Sequence, residues 1–213
     1  MRKKDNLGFI PLRTVCTEQK TVIVSGIGRC GTTGMIRALH ATGLPKTGKR
    51  TQGTQDDHLF GPHLGNHKYI KHQAKLHDEK HKLWGFKYPL IWQNADSLKC
   101  FRNPVVVLMV RDSFCIAYRS WKASAKTHNL SYWISQIHSW EKEMYDWAFH
   151  RTTVPVALVS YEKFLLRPVT VMRLTTEFLN MNFDAKCIDE INAEDQRYTR
   201  GMSFYRFSND NDD

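Results

Sequence analysis

The sequence has no long apolar run. Nowhere do about 18 consecutive apolar residues occur, which argues against a membrane-spanning helix, and Met1 to Lys20 lacks the apolar middle of a secretory leader. A cytoplasmic location is therefore expected. Cysteines are few and unsuited by spacing to a disulfide frame or a zinc ribbon: Cys16, Cys30, Cys100, Cys115 and Cys187 are five in number, scattered, and without a CxxC pair. Reduced thiols are the reading that remains. Acidic residues are also short, 21 Asp and Glu against 31 Lys and Arg, for a net charge of +10. Such a balance favours anionic partners, whether nucleotides, nucleic acid, acidic glycans or an anionic surface, and does not choose among them. Internal repeats and low-complexity tracts are absent too, and 213 residues with 41% hydrophobic content suit one folded domain with its own core.

What is present is organised around Thr21 to Thr42. Val22, Ile23 and Val24 read as a buried strand, because β-branched residues pack on both faces of a pleated sheet. Gly26, Gly28 and Gly31 follow, and Thr32 and Thr33 open a helix with Met35, Ile36 and Leu39 at helical spacing, stopped by Gly43 and Pro45. Strand, glycine loop and helix start form a phosphate cradle, since free N–H groups at a helix start attract anions and glycine lets the backbone come close. Gly26, Gly31 and Thr33 match the glycines and hydroxyl of a Walker A loop, yet Thr32 stands where that motif has its lysine. The nearest cation is Arg29. The loop is therefore expected to hold a phosphate-like group other than an ATP γ-phosphate. Cys30 reads first as a small loop-filling residue, the alternative being a thiol whose pKa the helix start and Arg29 lower.

From residue 46 to residue 82 the sequence turns glycine- and histidine-rich and is expected to be a long, partly irregular surface excursion with a short helix near Tyr69 to His81. His77-Asp78-Glu79-Lys80-His81 has the histidine spacing of a zinc protease helix, but Lys75, Lys80 and Lys82 around it point to a solvated basic helix. Leu83 to Tyr88 is a strand cut off by Pro89, with Lys87 near its end. Leu90 to Phe101 is an amphipathic segment, and Val105 to Val110 is the most apolar run, a central strand delivering Arg111 and Asp112 at its carboxyl end, where ligands bind in open α/β sheets. Helices follow at Phe114 to Ala125, bearing Arg119, Ser120 and Lys122, and at Ser131 to Arg151, whose Trp133, Trp140 and Trp147 read as core anchors. Val154 to Ser160 is a further strand, Tyr161-Glu162-Lys163 its exit, and Val169 to Asn180 another helix, with a turn or two more at Cys187 to Asp195. Alternating strands and helices predict an α/β domain with a central, mainly parallel sheet flanked by helices in three layers. Residues 1–20 are expected as a lead-in, 21–196 as the domain, and 197–213 as a basic-aromatic segment with a frayed acidic end.

Taken together, Gly28-Arg29-Cys30-Gly31-Thr32-Thr33, LWGFKYP, VVVLMVRD with its following helix, and VSYEKFLLRP resemble the P-loop-like sulfotransferases that use 3′-phosphoadenosine 5′-phosphosulfate (PAPS). The resemblance implies that Gly28 to Thr33 grip the phosphosulfate, with Arg29 beside the transferring group and Lys87 assisting. It implies that Arg111, with Ser120 or Arg119, holds the 3′-phosphate, and that Arg200-Gly201 belongs to a closing loop. It also implies a sulfuryl transfer to a hydroxyl or amine, PAP (3′,5′-ADP) as product, and no need for Mg²⁺. The catalytic base it implies lies on the first excursion, Asp57 first and His58 second, with Asp56 beside them. Partners on this reading are a small-molecule or glycan acceptor rather than nucleic acid. A P-loop small-molecule kinase and a non-catalytic nucleic-acid-binding module, the latter drawn from the charge and from Arg197 to Phe207, are the competing readings.

Overall fold

The computed structural model describes residues 7–15, 18, 20–47, 59–124 and 127–199, with side chains as far as residue 192. Its centre is a five-stranded sheet built from β1 (Phe9–Pro11), β2 (Lys20–Gly26), β3 (Leu83–Lys87), β4 (Pro104–Val110) and β5 (Val156–Ser160), in the spatial order β1-β5-β4-β2-β3. The last four are mutually parallel, and β1 runs antiparallel along β5, with Phe9 opposite Val159. Both faces of the inner strands are covered. Val22, Ile23 and Val24 of β2 and Val106, Val107 and Leu108 of β4 are wholly buried, which is why these strands read as unbroken apolar runs.

Seven α-helices pack around the sheet among the described residues: α1 (Thr32–Ala41), α2 (His67–Lys80), α3 (Ser113–Ala123), α4 (Leu130–Asp146), α5 (Tyr161–Leu166), α6 (Pro168–Phe178) and α7 (Lys186–Thr199). Four begin at a residue whose side chain accepts from a backbone N–H of the first turn: Asn66 from Tyr69, Asp112 from Cys115, Asn129 from Tyr132, and Ser160 from Lys163. These are the side chains that fill the vacant donors at a helix start. The α/β reading and the four parallel strands are as the sequence predicts. Three features differ. β1 falls within the expected lead-in; three residues are too few to show alternation, and Pro11 is tolerated because the strand is an edge. α5 replaces a simple strand exit, a six-residue helix closed off where Pro168 opens α6. α7 is longer than expected because only Cys187 and Ile191, one turn apart, anchor its described face, and α1 is the helix it chiefly covers.

Segment 46–82, where described, is mostly ordered. Lys46 bridges to Gly85, a 3-10 turn spans Gly61–His63, and α2 is fourteen residues long. Phe60 at its head joins Trp84, Phe86 and Phe101 in an aromatic core, with ring centroids 4.9 Å apart for Phe60 and Phe86. His77 packs its ring on Phe60 and Trp84, while Asp78 accepts from the Trp84 indole at 2.8 Å and pairs with Arg102 at 2.9 Å. His77, the first of the two histidines with zinc-protease spacing, and Asp78 thus fasten α2 to the sheet. No group of three metal-ligating side chains occurs among the described residues, and none of their helices is long and apolar enough to cross a membrane.

Candidate functional site

The four parallel strands change direction of growth at β2: β3 is laid on one side of it and β4 on the other. A crevice opens at such a reversal, beyond the carboxyl ends of the strands. The loop between β2 and α1 lies there. Gly26 and Gly31 have φ of 145° and 98°, conformations that a side chain rarely adopts. A Cβ on Gly26 would strike the Cys30 sulfur and the Met109 carbonyl, and one on Gly31 would strike the Tyr161 ring. Arg29 is itself left-handed, at φ 76°. Gly28 is different, since a Cβ there would meet nothing within 4 Å. Nothing in the fold demands a glycine at that point, and the space above it is open to a ligand. Gly31→Ala is expected to lower the melting temperature by several degrees and to abolish anion binding, read by calorimetric unfolding and titration; wild-type behaviour would remove Tyr161 as the buttress of the loop.

Two strands aim cations at this loop from opposite sides. On β3, Lys87 stands opposite Val24 and is only 4% exposed, with its ammonium donating to the Thr33 hydroxyl at 3.2 Å. Beyond β4, Arg111 donates through Nη1 to the Arg29 carbonyl at 3.1 Å and lays its guanidinium 4.4 Å over the Tyr161 ring. Its Nε is buried with no acceptor among the described residues. Thr32 is buried and Thr33 half-buried at the start of α1, and the Arg29 side chain is exposed. Arg119 and Ser120 are half-buried on α3, about two turns along from Arg111. Asp56, Asp57, His58, Arg200 and Gly201 lie outside the described residues.

Cys30 takes the first of its two readings. Burial pushes its thiol up to about 12, against the lowering effects of the Thr32 backbone N–H, Lys87 and Arg111. Enclosure between β2 and β4 outweighs the helix start, and the loop-filling role is the one observed. Cys187 is likewise pushed up to about 11, by burial first and Asp184 next. Both thiols hold their protons in the folded chain above the ordinary 9.0, so the stability they contribute is full below that pH and is lost as pH rises towards their folded values. Alkylation of native protein at pH 8 should therefore spare Cys30 and Cys187, as read by peptide mass mapping. Prompt labelling of Cys30 would contradict its enclosure.

Several residues at the site are not singled out by their sequence pattern. Glu162 accepts from the Asp112 backbone N–H and from the Ser160 hydroxyl, both at 3.1 Å, joining the exits of β4 and β5. The Ser113 hydroxyl donates to Glu141 of α4 at 2.6 Å. Tyr145, one turn further along α4, has its phenol pushed up by burial and then by Glu141, Cys30 and Glu162. The available signal was Glu141 itself, a carboxylate on a stripe otherwise made of Ile134, Ile137, Met144 and Ala148. These contacts fix the start of α3, and with it the base of Arg111. A helix start, the Lys87 ammonium and the Arg111 guanidinium meet at the loop that carries the exposed Arg29, an arrangement chemically suited to phosphate or sulfate esters.

No protein-family model matches the sequence, and no curated protein does. Solved structures do match by shape. The sulfotransferase domain of the olefin synthase of Synechococcus PCC 7002 superposes with a TM-score of 0.61 at 15% identity, over 84% of this chain and 78% of that one. Sulfotransferase STF9 of Mycobacterium avium gives 0.58 at 11% identity over 91% and 70%. The sulfotransferase domain of the curacin biosynthetic pathway gives 0.55 at 13% identity over 79% and 76%. The chain thus has the P-loop-like α/β fold of sulfotransferases, with its glycine loop in the crevice where the parallel strands part.

Proposed function

We propose that the protein is a PAPS-dependent sulfotransferase, moving a sulfuryl group from that donor to a hydroxyl or amine of an acceptor. One observation carries the reading: the Lys87 ammonium sits on the Thr33 hydroxyl at 3.2 Å. In a Walker A loop that hydroxyl holds Mg²⁺. Here a fixed protein cation approaches it instead, on a loop that has Thr32 in place of the Walker lysine. The donor fits the residues around the loop: open space above Gly28, N–H groups at the start of α1, and Arg111 eighty-two residues from the Arg29 carbonyl it holds. When bound, PAPS supplies an activated sulfuryl group and a 3′-phosphate that ATP lacks.

The chain's own residues then have separate tasks. Gly28 to Thr33 cradle the phosphosulfate end, and Arg111 with Arg119 or Ser120 takes the 3′-phosphate, joined by Arg200-Gly201. Lys87 and Arg29 place positive charge where the leaving phosphate gathers electrons, which is the electrostatic part of the catalysis. Asp57, or His58 in its stead, accepts the proton of the acquiring hydroxyl or amine. Calorimetry decides the proposal. 3′,5′-ADP should bind at least tenfold more tightly than 5′-AMP, equally well with EDTA or Mg²⁺. Equal affinity for the two nucleotides, or Mg²⁺-dependent turnover of ATP, would overturn it in favour of a kinase.

A further inference from the structure

The face of α2 that looks away from the sheet carries a charge pattern that the proposed reaction centre does not use. Lys68, Lys71, His72 and Lys75 are all exposed. At 3.6 residues per turn they fall within an arc of about 100° and over roughly 10 Å of helix. Glu79, paired with Lys75 at 4.0 Å, is the first acid on that face, and it comes at the far end. The other nearby acid, Asp78, is turned inward to Trp84 and Arg102.

This arrangement works against the helix that carries it. Lys68 and Lys71 are three apart, and Lys71 and Lys75 four apart, spacings at which like charges repel. Cations also occupy the amino-terminal half, where the helix dipole favours acids, and the first turn of α2 holds no acid. What keeps α2 in place is burial of Ile70 and Ala74, the Asn66 cap and the inward contacts of His77 and Asp78. The exposed face could have been mixed in sign throughout, as solvated helix faces usually are, and ahead of Glu79 it carries no acid.

We infer that the Lys68, Lys71, His72 and Lys75 face of α2 docks an acidic polysaccharide, the acceptor of the proposed transfer. This rests on the sulfotransferase reading, for which a polymer rich in hydroxyls is a chemically competent acceptor. The remaining features select that class. The apolar side of α2 is packed on the sheet, so the helix cannot insert into a bilayer. The face carries no exposed Phe, Tyr or Trp ring for base stacking, since Tyr69 is half-buried against His63 and the one exposed ring there is the small His72 imidazole. Lysines are flexible point charges suited to sulfates and carboxylates strung along a chain. The stripe is also linked to the site, because a Cβ on Gly61, just ahead of α2, would lie 3.3 Å from the ring of Tyr88, which follows Lys87.

The test measures binding of a fluorescent heparin decasaccharide across a salt series. The protein is compared with Lys68→Glu/Lys71→Glu/Lys75→Glu and with a control of equal charge change on exposed residues elsewhere, Lys142→Glu/Arg167→Glu/Lys186→Glu. The α2 variant should bind at least tenfold more weakly, with the log–log salt slope reduced by about two to three, while the control changes less than threefold. Equal losses in both variants overturn the inference. So does tighter, α2-dependent binding of a single-stranded oligonucleotide or of phosphatidylserine vesicles. If the Glu variant melts early, the Lys→Gln triple at the same positions gives the same comparison. Titration with 3′,5′-ADP in parallel separates the two proposals: a wild type that fails to bind it ends the sulfotransferase reading and leaves the polyanion surface to be judged by the oligosaccharide alone.

Discussion

Arg111→Ala should weaken 3′,5′-ADP binding by about 10- to 150-fold, the equivalent of one hydrogen-bonded charge pair of 1.5–3 kcal/mol, and leave 5′-AMP within about threefold. The contrast between the two nucleotides matters because the proposal gives Arg111 a second job beside the one the structure shows. Its Nη1 holds the Arg29 carbonyl and its plane rests on Tyr161, so removal also loosens the loop. Loosening penalises both nucleotides alike, whereas loss of a 3′-phosphate contact penalises only one. Arg111→Lys keeps the charge and loses the planar fork, and is expected to recover only part of the difference. An equal fall for 3′,5′-ADP and 5′-AMP would assign Arg111 to the loop and not to the ligand.

That double role shows which parts of the site the sequence could disclose. Arg111 was legible because it follows the most apolar run of the chain, and a strand that apolar has to be central. β2 and its glycine loop were legible for the same reason, together with turn chemistry that only glycine permits. The Lys87–Thr33 contact was not, because it joins residues 54 positions apart and depends on β3 pairing with β2 in one register, Val24 opposite Lys87. Glu162 and Glu141 are the same case, their partners lying 50 and 28 positions away. Cys30 shows why the loop-filling reading was the better one. Its neighbours in sequence argue for a lowered pKa, and its neighbours in space, Gly26 and the β4 backbone, enclose it and raise it. The short elements β1 and α5 were hidden by length, since periodicity needs more residues than they have.

Lys87→Met should slow donor turnover by about 10²- to 10³-fold, the usual cost of deleting one preorganised donor at a developing charge, with 3′,5′-ADP affinity changed by less than about threefold. The asymmetry follows from where Lys87 stands. It is enclosed at 4% exposure and reaches the first turn of α1 rather than open solvent, so its charge is little screened when negative charge gathers on the leaving phosphate. On the proposed reading the product, by contrast, is also held by the loop N–H groups and Arg111. Methionine matches the length of the lysine stem and carries no charge to bury, so the variant should melt no earlier than the wild type. Arg29→Ala is the useful partner. That side chain is exposed, and its loss should cost only about tenfold in rate through the weaker field of a solvated charge. Turnover of sulfur-labelled PAPS, with each variant's melting point measured beside it, ranks the two cations. A Lys87→Met protein that turns over at the wild-type rate would leave the Thr33 contact as packing, and the electrostatic task would pass to Arg29 alone. Mg²⁺ sharpens the same experiment, because a metal that restored Lys87→Met would mean that the Thr33 hydroxyl had kept its Walker role and that the ammonium had merely displaced the ion.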